Sequence, residues 1–140
     1  MVSNVRVGIR VGLLVGFTLS ALLMLMTAAP AQAQTVDECQ AEIAQARALL
    51  ADPTNPNYVD SFTNEKDRTG LTGKLESAST KLSQGKTQDA LADLTSVRDK
   101  VTTLVAQGKL EQADADVLLS EINEAIACVE GLQAPAATAA

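Results

Sequence analysis

The sequence predicts an all-α protein: an antiparallel four-helix bundle of up-down-up-down topology, preceded by a cleavable signal peptide. Three observations predict it. Apolar residues recur at steps of three and four over four separate stretches after Thr35. A glycine, or a cluster of Asp, Pro and Asn, separates each stretch from the next. The chain has 2 cysteines, Cys39 and Cys128, one in the first turn of the first stretch and one in the last turn of the fourth.

Residues 1–33 come first. Arg6 and Arg10 are followed by an apolar run from Val11 to Met26 and by small residues ending in Ala31-Gln32-Ala33. Positive charge, apolar run and A-x-A in that order are the signature of a secretory leader. The run is at the short end of the roughly 20 residues that a bilayer span needs, so cleavage is expected rather than an anchor. No cysteine closes the leader as a lipoprotein requires, and no arginine pair is present. Cleavage would leave 107 of the 140 residues and shift the net charge from −6 to −8. The remainder has no Met, His or Trp, and its aromatics are Tyr58 and Phe62. One domain over 34–132 with a disordered Pro/Ala-rich tail at 133–140 is the natural division at that length.

The first helix is expected over Val36–Ala51. Thr35 and Glu38 have the capping-box spacing, and Cys39, Ile43, Ala46 and Leu50 form the apolar stripe. Asp52-Pro53-Thr54-Asn55-Pro56-Asn57 ends it, because proline lacks a donor and Asn and Asp suit turns. The second helix is expected from about Asn64 to Gln84, with Leu71, Leu75, Ala78 and Leu82 inward and Gly85 as its cap. The third runs from Thr87 to Ala106, with Ala90, Leu94, Val97, Val101 and Leu104 inward and Gly108 as its cap. The fourth runs from Gln112 to Glu130, with Leu110 as a staple before it and Gly131 ending it. Gln84-Gly-Lys and Gln107-Gly-Lys open two similar stretches offset by 23 residues, either a duplication or two turns with the same needs. Both turns are tight, so the last three helices should be antiparallel neighbours.

In that topology the first helix begins where the fourth ends, so a Cys39–Cys128 disulfide and the fold predict each other. A redox pair would favour a close Cys-x-x-Cys, which this sequence does not have.

Chemistry is sparse. With no histidine, Ser–His and Cys–His nucleophile pairs are impossible and the commonest base is missing. No Gly-rich phosphate loop, zinc ligand set or calcium-loop spacing appears. Asp89 and Asp93, and Asp114 and Asp116, lie at helix starts, where acids partner the dipole. An enzyme, a metal and a cofactor are therefore not expected. Strong acidity disfavours nucleic acid, whose phosphates need Lys and Arg, and an anionic membrane surface. No membrane-spanning segment is expected after cleavage. Both aromatics lie in the loop after the first helix, with Val59 between them. Tyr58, Val59 and Phe62 either plug the open end of the bundle or form a recognition patch, since aromatics are enriched at interfaces.

Residues 70–132 carry a further pattern: Gly70-Leu-Thr-Gly-Lys-Leu75, Ala78, Leu82, Gly85-Lys86, Ala90, Leu94, Val97, Val101, Gly108-Lys109-Leu110 and Ala113-Asp114-Ala115-Asp116. This run resembles the FIMAH domain, a small helical module of membrane-associated and secreted bacterial hydrolases. The resemblance implies an extracytoplasmic accessory module that attaches or interacts and does not catalyse, and it offers no catalytic residues. No enzyme domain accompanies it here, and the first helix with its cysteine lies outside the match. The expected protein is a secreted or periplasmic module that binds a protein or cell-envelope partner. A small inhibitor or chaperone of a secreted enzyme is the alternative.

Overall fold

The computed structural model describes residues 34–134. The signal peptide expected at 1–33 and the tail beyond Ala134 lie outside the described residues. Four α-helices and no strand occur among the described residues: α1 (Val36–Ala51), α2 (Glu65–Ser83), α3 (Thr87–Ala106) and α4 (Gln112–Gln133). None is long and apolar enough to cross a membrane.

Local chemistry sets each boundary. Thr35 Oγ1 accepts from the Glu38 N–H while Glu38 Oε2 accepts from the Thr35 N–H, so the capping box of α1 is complete. Asn64 caps α2 by accepting from the Lys66 N–H. The ends of α2 and α3 are built alike. Gly85 N–H donates to Leu82 O and Lys86 N–H to Lys81 O; Gly108 N–H donates to Val105 O and Lys109 N–H to Leu104 O. Both are Schellman turns, which need a left-handed residue one step past the cap. Gly85 and Gly108 supply it, at φ 74° and 66°. The repeated Gln-Gly-Lys is thus accounted for by two turns of one geometry.

Gly131 behaves differently from the helix end expected there. The fourth helix runs through it to Gln133, and Leu132, partly buried, packs against the core. A Cβ at Gly131 would collide with the side-chain carboxamide of Gln34. This glycine admits a crossing chain, and its φ is not positive. Gln133, expected to open the tail, is the last residue of α4.

The helices form a closed ring of contacts. α1 meets α2, α2 meets α3, α3 meets α4 and α4 returns to α1, with no diagonal contact. The predicted stripes all face inward and form one core. Leu49, Val59, Leu110 and Cys128 join it, and no polar or charged residue is buried in it. The Cys39–Cys128 disulfide closes the ring, with Cα atoms 5.4 Å apart and 89 residues of separation.

Two outcomes follow for stability. Reduction, or Cys39→Ser with Cys128→Ser, should cost about 4–5 kcal/mol by the chain-entropy model, read as a drop in the urea unfolding free energy. Gly85→Ala and Gly108→Ala should each destabilise by about 1 kcal/mol because alanine resists positive φ. Gly70 and Gly73 are helical, with open space where a Cβ would go. Their alanine variants should stabilise by about 0.5–1 kcal/mol each. The same sign at both kinds of position in thermal melts would contradict these assignments.

Candidate functional site

The loop between α1 and α2 is built from Asx turns. Asp52 Oδ1 accepts from the Thr54 N–H at 2.9 Å and its hydroxyl at 2.6 Å; Asn55 Oδ1 accepts from the Asn57 N–H at 2.9 Å. The Thr54 hydroxyl, then its N–H, hold the Asp52 carboxyl below the usual range. The loop then folds across the end of the bundle. Val59 N–H donates to Leu49 O at 2.8 Å and Thr63 N–H to Lys109 O at 3.0 Å. Glu111, at the N-cap of α4, makes no side-chain cap. Ser61 does the work from outside: its hydroxyl accepts from the Glu111 N–H and its own N–H donates to Asp114 Oδ2, both at 3.2 Å.

The three residues expected either to plug the bundle end or to form a recognition patch therefore separate. Val59 is 1% exposed and belongs to the core, because its backbone is tied down to α1, so it presents no surface to a partner. Phe62 is half-buried against the same core. Tyr58 is half-buried beside Leu50, Ala51 and Thr72, with the Arg68 guanidinium 5.2 Å above its ring. Glu65 holds that guanidinium through both oxygens, at 3.1 and 2.6 Å. The ring is covered on one side by a cation, and the loop's placement is that of a plug.

Of the acids read at the helix starts, Asp93, Asp114 and Asp116 accept hydrogen bonds. Asp93 on α3 accepts from Lys81 Nζ at 2.6 Å and Ser77 Oγ at 2.7 Å, both on α2. Burial works to raise its carboxyl, but the Lys81 and Ser77 hydrogen bonds and the charges of Lys81 and Lys74 outweigh it, so the net shift is downward. Lys100 on α3 reaches Asp67 on α2 at 3.0 Å. Asp116 accepts from Gln112 Nε2 at 2.6 Å.

A cluster that the sequence reading missed lies across α1 and α4. Glu42, Glu121 and Glu124 each place a carboxylate oxygen within 4.8 Å of the others. Burial, then the charges of Glu124 and Glu42, push the Glu121 carboxyl above its usual range. Glu121 Oε2 is shielded and receives no protein hydrogen bond. An open groove of about 510 Å³ runs alongside, lined by Gln34, Glu38, Glu42, Glu124, Ala127 and Cys128. Three carboxylates can offer oxygens to a hard cation, but calcium takes 6–8 ligands, so most of the shell would be water. The signal was available: once Cys39 is set opposite Cys128, the antiparallel register that the sequence predicts puts Glu42 one turn along opposite Glu124 and Glu121.

The whole charge distribution follows the same division. α1 and α4 together hold eight acids and one base, Arg47, whereas α2 and α3 hold six of each. Comparison with protein families, curated proteins and solved structures finds no match to this chain.

Glu121 and Asp93 have opposite pH signatures. Glu121 binds its proton more tightly when folded, so its contribution is present below the unfolded pKa, about 4.3, and is lost as pH rises through the folded value. Glu121→Gln should therefore stabilise the protein at pH 7, with the gain vanishing near pH 4. Asp93 contributes above its unfolded pKa, about 3.9, and that contribution is lost as pH falls through the lowered folded value. Asp93→Asn should cost about 2 kcal/mol at pH 7 and little near pH 2. Urea titrations across pH check both signs.

Proposed function

We propose that the chain is an exported, non-catalytic helical interaction module whose α1–α4 face captures a basic protein segment. The observation that carries this reading is the placement of charge. Eight acids against one base lie on two adjacent helices, three of the carboxylates crowd together, and a groove lies beside them. α2 and α3 pair their charges with each other instead. Lys or Arg side chains from a partner would relieve the crowding at Glu121, and long-range attraction would steer the encounter.

Several observations support the remaining parts. A disulfide suits an oxidising compartment, and residues 1–33 have a leader's composition; both support an extracytoplasmic mature chain. Gln40 Nε2 donates to Ser79 O, and Lys81 pairs with Asp93 while Lys100 pairs with Asp67. Early residues of one helix thus meet late residues of the next, which favours the up-down-up-down arrangement. The glycine turns at Gly85 and Gly108 fall on residues that carry the FIMAH resemblance, and attachment fits that class of module. The resemblance rests on those residues alone.

A Lys/Arg-rich decapeptide titrated calorimetrically at about 20 mM salt is the direct test. Binding should weaken steeply with added salt. Glu42→Gln, Glu121→Gln and Glu124→Gln combined should lower the affinity about tenfold or more, a loss of about 1.4 kcal/mol. Tyr58→Ala should leave it unchanged. Absence of binding at low salt, or equal affinity of the triple variant, would overturn the proposal.

A further inference from the structure

The two halves of the disulfide are not equally sealed. Cys39 is 0% exposed, while Cys128 retains 5% and lines the groove beside Glu38, Glu42 and Glu124. We propose that the Cys128 sulfur is a thiol–disulfide exchange site, and that the carboxylates around it select thiols by charge, admitting cationic ones and holding off anionic ones.

The step is a substitution at sulfur. A thiolate attacks Cys128 Sγ from the groove. The new S–S bond forms as the Cys39–Cys128 bond breaks, and its electron pair leaves on Cys39 Sγ as a thiolate that takes a proton from solvent. A second thiolate then attacks the mixed disulfide at the incoming sulfur, giving the Cys128 thiolate and an oxidised thiol dimer. Overall, two thiols are oxidised and one protein disulfide is reduced. Approach from the other side is closed, because Cys39 is 0% exposed and does not line the groove. Cys39 also lies in the first turn of α1, where the positive end of the helix dipole offsets part of the cost of a thiolate in apolar surroundings.

Charge enters because the attacking species is always the thiolate. An aminothiol attacks with net charge zero, a hydroxythiol with −1 and a mercaptocarboxylate with −2. The groove presents Glu38, Glu42 and Glu124, and Glu121 lies within reach of the last two. No base lines it. The potential therefore opposes the three attackers to increasing degrees. The chemical class of natural reactant that fits is a thiol carried on a cation or on a basic protein surface. This inference goes beyond partner capture and does not depend on it.

The test follows reduction of the intact disulfide-bonded chain by cysteamine, 2-mercaptoethanol and mercaptoacetate. Rates are expressed per thiolate, and the urea-unfolded chain supplies the intrinsic reactivities. At about 10 mM ionic strength the cysteamine-to-mercaptoacetate ratio on the folded chain should exceed the unfolded ratio about tenfold. At 1 M salt, where the screening length is about 3 Å, the excess should collapse. Glu42→Gln with Glu124→Gln should reduce it severalfold, and both are groove residues outside the core, so the fold should survive. Trapping the first adduct and mapping it should place the incoming thiol on Cys128 and the free thiol on Cys39. Rates independent of thiol concentration would mean that global opening limits reduction. That result, an adduct on Cys39, or a folded-state ratio equal to the unfolded one would each overturn the proposal.

Discussion

Closure of the ring between the first and last helices is the constraint on which the rest depends. Among the helices α1 packs against α2 and α4, so without the α4 contact part of its apolar stripe would face water. That one contact carries two opposed terms. A covalent bridge holds Cys39 to Cys128, and on the same two helices three carboxylates repel each other. An exposed carboxylate pair in water repels by only about 1 kcal/mol at 4 Å. At Glu121 burial itself, then the charges of Glu124 and Glu42, raises the proton affinity. The covalent term is the larger, and it tolerates a charge arrangement that packing alone would select against.

Much of the fold could be read from residue spacing. The stripes Leu71-Leu75-Ala78-Leu82 and Ala90-Leu94-Val97-Val101-Leu104 are all in the core, because a period near 3.6 leaves few other ways to bury them. The caps at Thr35, Gly85 and Gly108 were legible for the same reason: each satisfies backbone groups only a few residues away. Gly131 was misleading because a glycine can relieve a contact as well as a backbone angle. Its partner, Gln34, is nearly a hundred residues distant in sequence, and spacing carries no information about such a neighbour.

The site was less legible. Tyr58, Val59 and Phe62 stood out by residue type, yet the loop's hydrogen bonds to Leu49, Lys109 and Glu111 turn them into a lid on the bundle end. Glu42, Glu121 and Glu124 looked like ordinary solvated positions on separate helices. They gain meaning only when two helices distant in sequence are set in register. Pairwise electrostatics across a long separation is visible once topology is known, and the cysteines were the one pair of residues able to supply it in advance.

The ring also bears on the order in which the protein matures. Three of its four helix contacts join neighbours in the chain, so they close short loops and can form quickly as contacts of low sequence separation do. The fourth spans the whole domain and closes late. In many secreted proteins an early wrong pairing of thiols stalls that stage. Here the chain holds 2 cysteines in all, so a single intramolecular pairing exists. An oxidant that acts before the helices assemble makes the same bond as one that acts afterwards, and the molecule has no need of an isomerase to correct it.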